Sequence, residues 1–305
     1  MAFIERNVDG VVMTASTLIK APHAFTTRLG GVSRGIFSSL DLAETRGDEE
    51  DDVRENYRRV CAACGFDMAR VVFTRQVHGA VVRPVTGKDA HELFTPVPYE
   101  ADGLTTAEKG LTLTVFTADC VPILLFDEKR NAAATVHAGW RGTVADIAGE
   151  GVRVMTREHG SDPADIRAAI GPSIGFCCFE TDGDVPDALR ALLGDSAEAF
   201  IRPRESKYLV DLKGAIRALL MRAGVPGRNI DVSDECTMCL PERYWSHRYT
   251  HGERGSMAGF IMISSENRSA GFSPEWVSAA LRARPEGARA LREKYFSPGT
   301  RPCEK

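Results

Sequence analysis

No apolar stretch in this 305-residue chain approaches the ~20 residues that a membrane-spanning helix needs. The first residues, MAFIERNVDGVV, lack the layout of a signal peptide, so a cytoplasmic location is expected. There is no internal repeat and no low-complexity segment. There is no excess of positive charge either. The formal net charge is −4, so bulk charge implies no polyanion partner, and nucleic acid is not expected. No Gly-rich dinucleotide fingerprint follows a strand-like run. Nothing reads as a coiled coil or a large exposed apolar helix, so a monomer without membrane contacts is the starting expectation.

What is present is ordinary for a soluble protein: 43% hydrophobic and 26% charged residues, enough to bury a substantial core. Strand-like and helix-like segments alternate irregularly. An α+β fold, with a mixed β-sheet core flanked by helices, fits that pattern best. Residues 11–21 read as one or two strands and residues 23–42 as a long ordered loop. Apolar spacing predicts a helix over 49–64, with Asp48 as cap and Gly65 as stop. Residues 71–79 (VVFTRQVHG) read as a strand running into a turn, which puts His78 at a strand end. VPILLF (121–126) and AAATVHA (132–138) read as neighbouring buried strands joined by a short turn. Thr143 is expected to cap the next helix and Gly160 to close it. Amphipathic helices follow at 185–193 and 211–223, and the last good strand is 258–264. Residues 1–265 are expected to form one catalytic domain, and 266–305 an Arg- and Pro-rich extension.

The chemistry concentrates in residues 117–143, TADCVPILLFDEKRNAAATVHAGWRGT. Cys120 and His137 are soft-to-borderline metal ligands at the edges of two strands, and His78 is a third from a separate element. Two imidazoles and one thiolate leave zinc an open position, as catalytic sites require. Asp119, beside Cys120, is placed to act as acid or base or to orient a ligand. Gly139 and Gly142 would let the backbone pack closely, and Arg141 is placed for an anionic group. Two other readings stay open. One is a structural zinc held by Cys61, Cys64, Cys236 and Cys239, two of the more recognisable Cys-x-x-Cys pairs. The first pair, however, lies on the apolar face of the expected helix, where core packing is the commoner role. The other is a Cys120 nucleophile with His137 as base and no metal.

Taken together, TRLGGVSRGIFSSLDL, RQVHG, ADGLTT, TADCVPILLFD, VHAGWRGT, IGPSIGFCCFE, the CT of CTMC and WSHR resemble the bacterial laccase-domain family over residues 20–265. The names polyphenol oxidase, purine nucleoside phosphorylase and peptidoglycan editing factor are attached to it. The resemblance implies a fold like that of a toxin's Cys–His deamidase domain. It implies zinc on His78, Cys120 and His137, with copper as an in vitro alternative. It implies phosphorolysis of adenosine, inosine, guanosine and methylthioadenosine to base and ribose 1-phosphate, together with adenosine deamination. The alternative is amide hydrolysis on a peptidoglycan precursor. Phenol oxidation fits less well, because a multicopper site needs many His ligands and this chain has seven, scattered and without a His-x-His pair. Asp119, Arg141 and Gln76 are then the candidate catalytic residues. Arg28, Ser33, Arg75 and Cys178 are the candidates for holding substrate or phosphate. The sequence departs from the family near its end, where Tyr249 and Ser256 stand at positions expected to be Arg. Asp41, Arg46 and Ser173 depart as well, all in segments expected to line the pocket.

Overall fold

A computed structural model describes residues 3–264. The hairpin of VPILLF and AAATVHA lies at its centre, as β8 (Val121–Asp127) and β9 (Ala132–Ala138). The two strands pair antiparallel, with Pro122 opposite His137 and Asp127 opposite Ala132. Every residue of both strands is buried. That is why neither strand alternates apolar and polar residues: both faces of their sheet are covered. The sheet runs β14 (Ile230–Val232), β10 (Arg167–Ile170), β8, β9, β6 (Gly103–Thr106), β5 (Val82–Pro84).

A second sheet packs on one face of the first. Its order is β1 (Phe3–Val8), β2 (Val11–Ser16), β3 (His23–Thr26), β15 (Met257–Met262), β7 (Thr112–Thr117), β4 (Val71–Val72). Leu113 and Ile261 from this sheet meet Leu124, Phe126 and Ala133 from the other in one apolar cluster. The outer face of the second sheet is covered by α1 (Glu50–Cys64), through Val53, Tyr57 and Val60. The other face of the β8–β9 sheet is covered by α3 (Ile147–His159) and α5 (Leu212–Arg222). Strand periodicity sorts the side chains between these layers. Ala132, Ala134, Val136 and Ala138 face the helices, whereas Ala133 faces the second sheet. A small three-stranded sheet of β11 (Glu180–Thr181), β13 (Lys207–Val210) and β12 (Ile201–Arg204) lies beside α4 (Asp184–Leu193).

The α+β expectation therefore holds, with corrections to individual elements. β3 lies inside what reads as loop, because four residues are too few to show a period. The segment 71–79 is a strand only over Val71–Val72 and then bends. The capping of α1 is not by the Asp48 side chain, which bonds instead to the N–H of Glu49. Thr143 does not cap the long helix either. Its hydroxyl donates to the Gly139 carbonyl within a short helix, α2 (Trp140–Val144). Asp146, at φ 57°, caps α3 by accepting from the N–H of Gly149. The stretch expected to form an Arg- and Pro-rich extension, 266–305, lies outside the described residues. Among the described residues no helix is long and apolar enough to cross a membrane.

His23 on β3 makes the fold pH-sensitive. It is fully buried; its Nε2 accepts from the N–H of Ser16 and its Nδ1 lies 2.8 Å from the Ala21 carbonyl, the pattern of a neutral imidazole. Burial pushes its pKa down to about 4. Its folded pKa lies below its unfolded value, so the unfolded chain binds the extra proton first. The associated stability is complete above pH ~6.5 and is lost as the pH falls toward ~4. Denaturant titrations should therefore show a loss of about 3 kcal/mol across that window attributable to this residue. His23→Asn should flatten the drop, and an unchanged slope in that variant would exclude His23 as its source.

Candidate metal centre and its two cavities

The β8–β9 register builds the site. Val121 pairs with Ala138, so Cys120 emerges beside Gly139 at the open end of the hairpin. On the other side of β9, Gly103 pairs with Val136, which sets Asp102 next to His137; the His137 N–H donates to the Asp102 carbonyl. His78 comes in from the bend before β5, with φ 60°. The Nε2 or Nδ1 atoms of His78 and His137 and the Sγ of Cys120 all lie within 4.8 Å of one another. His78 Nε2 is 3.8 Å from Cys120 Sγ, and the two imidazole rings meet edge-on at 4.9 Å. The three residues from separate elements thus converge.

Asp102 holds this arrangement together. It is fully buried. Its carboxylate accepts from the backbone N–H groups of Val77, His78 and Gly79 at 3.2, 2.9 and 2.7 Å. Those bonds stabilise the left-handed backbone that aims His78 inward. Its Oδ1 also lies 2.9 Å from His137 Nδ1. With that nitrogen donating to the carboxylate, Nε2 is the one turned toward the cluster. Burial works against the Asp102 carboxylate, but the His137 contact and the backbone donors lower its pKa below the usual range.

The electrostatics follow. Burial alone would push the Cys120 thiol up, yet His137 and His78 bring it down to about 6. Burial likewise opposes charge on His137, yet the Cys120 sulfur and Asp102 raise it to about 9. Cys120 is thus held as a thiolate, the form that binds a divalent metal, whereas His137 would give up a proton for its ring nitrogen to bind one. Gly139 leaves room for it. A Cβ there would come within 2.9 Å of His78 Cδ2 and 3.2 Å of Cys120 Sγ.

Two cavities meet at the cluster. The larger, of about 680 Å³, is walled by Phe73, Phe94, Phe116 and Gln76 and reaches His78, Cys120 and His137. The smaller, of about 300 Å³, touches His78 and Cys120 and is lined by Arg46, His247, Arg248 and Arg254. Arg46 and Arg254 line both. Burial and the neighbouring Arg46 bring Arg254 down to about 10, which leaves it cationic at neutral pH.

The other expected site residues divide. Asp119, at φ 88°, lines the smaller cavity, but both its oxygens are engaged: Thr237 Oγ1 donates at 2.6 Å and the N–H of Arg248 at 2.7 Å. It therefore ties together the segments around Cys120, Thr237 and α6 (His247–Thr250). Gln76 clamps the backbone of Phe116 with both ends of its amide, at 2.6 and 2.8 Å, and so sets an aromatic wall. Arg75 lines the larger cavity and pairs with Glu100 at 2.9 Å, both exposed. Arg141 is exposed and stacks over Trp140, a residue of the smaller cavity.

Arg28 and Ser33 line neither cavity. Arg28 is buried over the Trp245 ring and donates to the carbonyls of Ser38 and Pro241. Ser33 accepts from Asn56 Nδ2. Packing thus engages the Arg28 guanidinium and the Ser33 oxygen away from both cavities. Cys178 lines neither cavity and sits in a sulfur cluster with Cys177, Cys236 and Cys239. That cluster also overturns the grouping of Cys61 and Cys64 with Cys236 and Cys239. Cys61 packs in the α1 core and Cys64 contacts Met13 Sδ. Asp102, Arg46, His247 and Arg254 were not among the expected site residues. The motifs ADGLTT and WSHR are the signals that could have found Asp102 and His247.

The profile of the family described as multi-copper polyphenol oxidoreductase laccase matches residues 22–264. The chain belongs to this family. It is an enzyme of the laccase-domain family, and its relatives carry enzyme names. A purine nucleoside phosphorylase, YlmD of Geobacillus stearothermophilus, is 42% identical over 247 residues, covering 79% of this chain and 89% of that protein. Adenosine deaminase RL5, from an unknown prokaryotic organism, is 34% identical over 236 residues, 75% and 89% of the two chains. The crystal structure of the Geobacillus YlmD superposes with a TM-score of 0.80 at 37% identity, covering 85% of this chain and 98% of that one.

The Asp102 contacts make a specific expectation for this laccase-domain protein. Asp102→Asn should lower metal affinity about 10- to 100-fold with the fold intact. Metal titration followed by circular dichroism would measure both. Wild-type affinity in that variant would remove Asp102 from the account.

Proposed function

We propose that this protein is a zinc-dependent purine nucleoside enzyme. It splits adenosine, inosine, guanosine or methylthioadenosine with phosphate to give the base and ribose 1-phosphate, and it also deaminates adenosine. The observation that carries this reading is the meeting of an aromatic-walled cavity with a cationic one at the His78–Cys120–His137 cluster. Similarity to a purine nucleoside phosphorylase and to an adenosine deaminase supports it.

The division of labour follows from the chemistry of the walls. The larger cavity has the size and flat apolar sides that suit a purine nucleoside, with Phe116 stacked on Phe73 behind it. The smaller cavity holds phosphate against Arg46 and Arg254, with the exposed Arg248 beside them. His247 is pushed down by burial and by Arg254, so it stands neutral there as a hydrogen-bonding group. Phosphate oxygen attacks the anomeric carbon, the glycosidic bond breaks, and the base leaves with the bonding electrons and takes up a proton. Zinc held by His78, Cys120 and His137 would supply a Lewis acid with one open position, which also suits deamination. A multicopper oxidase is not supported: among the described residues only His78 and His137 of the histidines join a ligand cluster.

Incubation with inosine and inorganic phosphate should yield hypoxanthine and ribose 1-phosphate, with no hypoxanthine when phosphate is omitted. Cys120→Ala should abolish that release. Arg254→Ala should raise KM for phosphate about 10- to 100-fold, the equivalent of one charge-assisted hydrogen bond, with a smaller change in kcat. Hypoxanthine release that is indifferent to phosphate, or full activity in Cys120→Ala, overturns the reading.

A further inference from the structure

The second sulfur cluster lies outside the centre just described. Cys177, Cys178, Cys236 and Cys239 have their Sγ atoms all within 4.8 Å of one another. Cys239 Sγ is 3.5 Å from that of Cys177 and 3.4 Å from that of Cys178. Four thiolates around a tetrahedral zinc at about 2.3 Å have S–S edges of roughly 3.8 Å, so the spacing is close to that of a filled four-cysteine site. We propose that these four cysteines form a second metal site, specific for a soft divalent ion such as zinc, which fills when Cys239 is in its thiol state.

The backbone around the cluster is built in two tight turns. The N–H of Cys178 bonds to the Gly175 carbonyl, and the N–H of Leu240 to the Cys236 carbonyl. A bridge between Ser173 and Cys236 fixes one turn against the other. The Gly175 N–H points at Cys236 Sγ at 3.1 Å, a donor suited to a thiolate. A Cβ on Gly175 would come within 3.1 Å of both Cys177 Sγ and Cys236 Cβ, so this glycine keeps the cluster open. Lys213 is buried beside it, with Nζ on the carbonyls of Ser233 and Glu235, just ahead of Cys236. Its charge offsets part of the net negative charge that a zinc ion with four thiolate ligands carries.

Cys239 is disulfide-bonded in this structure. Metal entry is therefore coupled to reduction. A thiol reductant delivers two electrons and two protons to the disulfide and is itself oxidised to a disulfide, which leaves two thiols, that of Cys239 and that of its former partner outside the cluster. Zn²⁺ then binds with release of four thiol protons, one from each cysteine. The site bears on the catalytic walls, because the same two turns carry Ile174 and Phe179 of the smaller cavity and Thr237, the donor to Asp119. It would act as a redox-dependent staple of those walls.

The test is metal content of the full chain, saturated with zinc and then desalted, with and without a thiol reductant. Reduced protein should hold two zinc ions, and non-reduced protein one. Reduced Cys120→Ala should keep one ion, and a further Cys177→Ser should remove it. Cys177 is exposed at the rim, so that change should leave the fold intact by circular dichroism. Cadmium added to reduced Cys120→Ala should give the ultraviolet charge-transfer band of a thiolate-rich site, lost with Cys177→Ser. Reduced Cys120→Ala that binds no metal overturns the proposal, and so does binding that Cys177→Ser leaves untouched. These readouts do not depend on nucleoside chemistry, so a failed inosine assay would leave them intact.

Discussion

One buried carboxylate sets the geometry of the centre. Asp102 accepts three consecutive backbone N–H groups from residues 77–79 and lies against His137 Nδ1. A single side chain thus fixes the left-handed turn that presents His78 and the face that His137 offers. A buried carboxylate is costly unless its lone pairs are satisfied. Here four donors converge on two oxygens, and the charge that remains supports a cationic or metal-bound partner at His137.

The sheet sandwich makes that carboxylate possible. β9 is an interior strand, paired with β8 on one side and β6 on the other. His137 is therefore held within the ladder, and Asp102, one residue before β6, is tied to it by the His137 N–H bond to its carbonyl. Cys120 enters from the other partner strand of the same ladder. The side opposite is open because β4 ends at Val72 and the chain bends before β5, leaving His78 exposed at the cavity mouth. The rigid half of the centre is thus in the sheet and the accessible half on a bend, a sensible division for a site that must admit substrate.

Much of this was legible in the sequence, for physical reasons that vary by element. The β8–β9 hairpin is two continuous apolar runs around a charged turn, and that pattern leaves few alternatives. Cys120 and His137 are brought together by hairpin register alone, so a local signal sufficed. Asp102 was hidden because an Asp before Gly reads first as a turn residue; its partners lie 23–35 positions away and no local pattern encodes them. Arg28 misled in the opposite direction. Arginine in a Gly- and Ser-rich loop looks like an anion ligand, but the indole of Trp245 and two carbonyls take up its guanidinium. The two Cys-x-x-Cys pairs misled similarly: one is helix core, and the partner of the other is the adjacent pair Cys177–Cys178.

The departures from the family pattern near the C-terminal strand have a structural answer. Tyr249 and Ser256 stand where arginine was expected, which would leave the cationic cavity short of charge. Yet Arg254 reaches into it, held by the Ser256 hydroxyl at 2.8 Å and the Gly255 carbonyl at 3.0 Å. Arg46 lines the same space from the opposite segment of the chain. The serine that replaces the expected arginine thus serves to position another arginine two residues earlier. The Gly255 N-terminal to it has no room for a side chain, since a Cβ would meet Asp41 at 2.6 Å, and Asp41 in turn accepts from the Ser256 N–H. Asp41, Gly255 and Ser256 therefore act as one unit. They shape the chain so that Arg254 delivers its charge into the cavity.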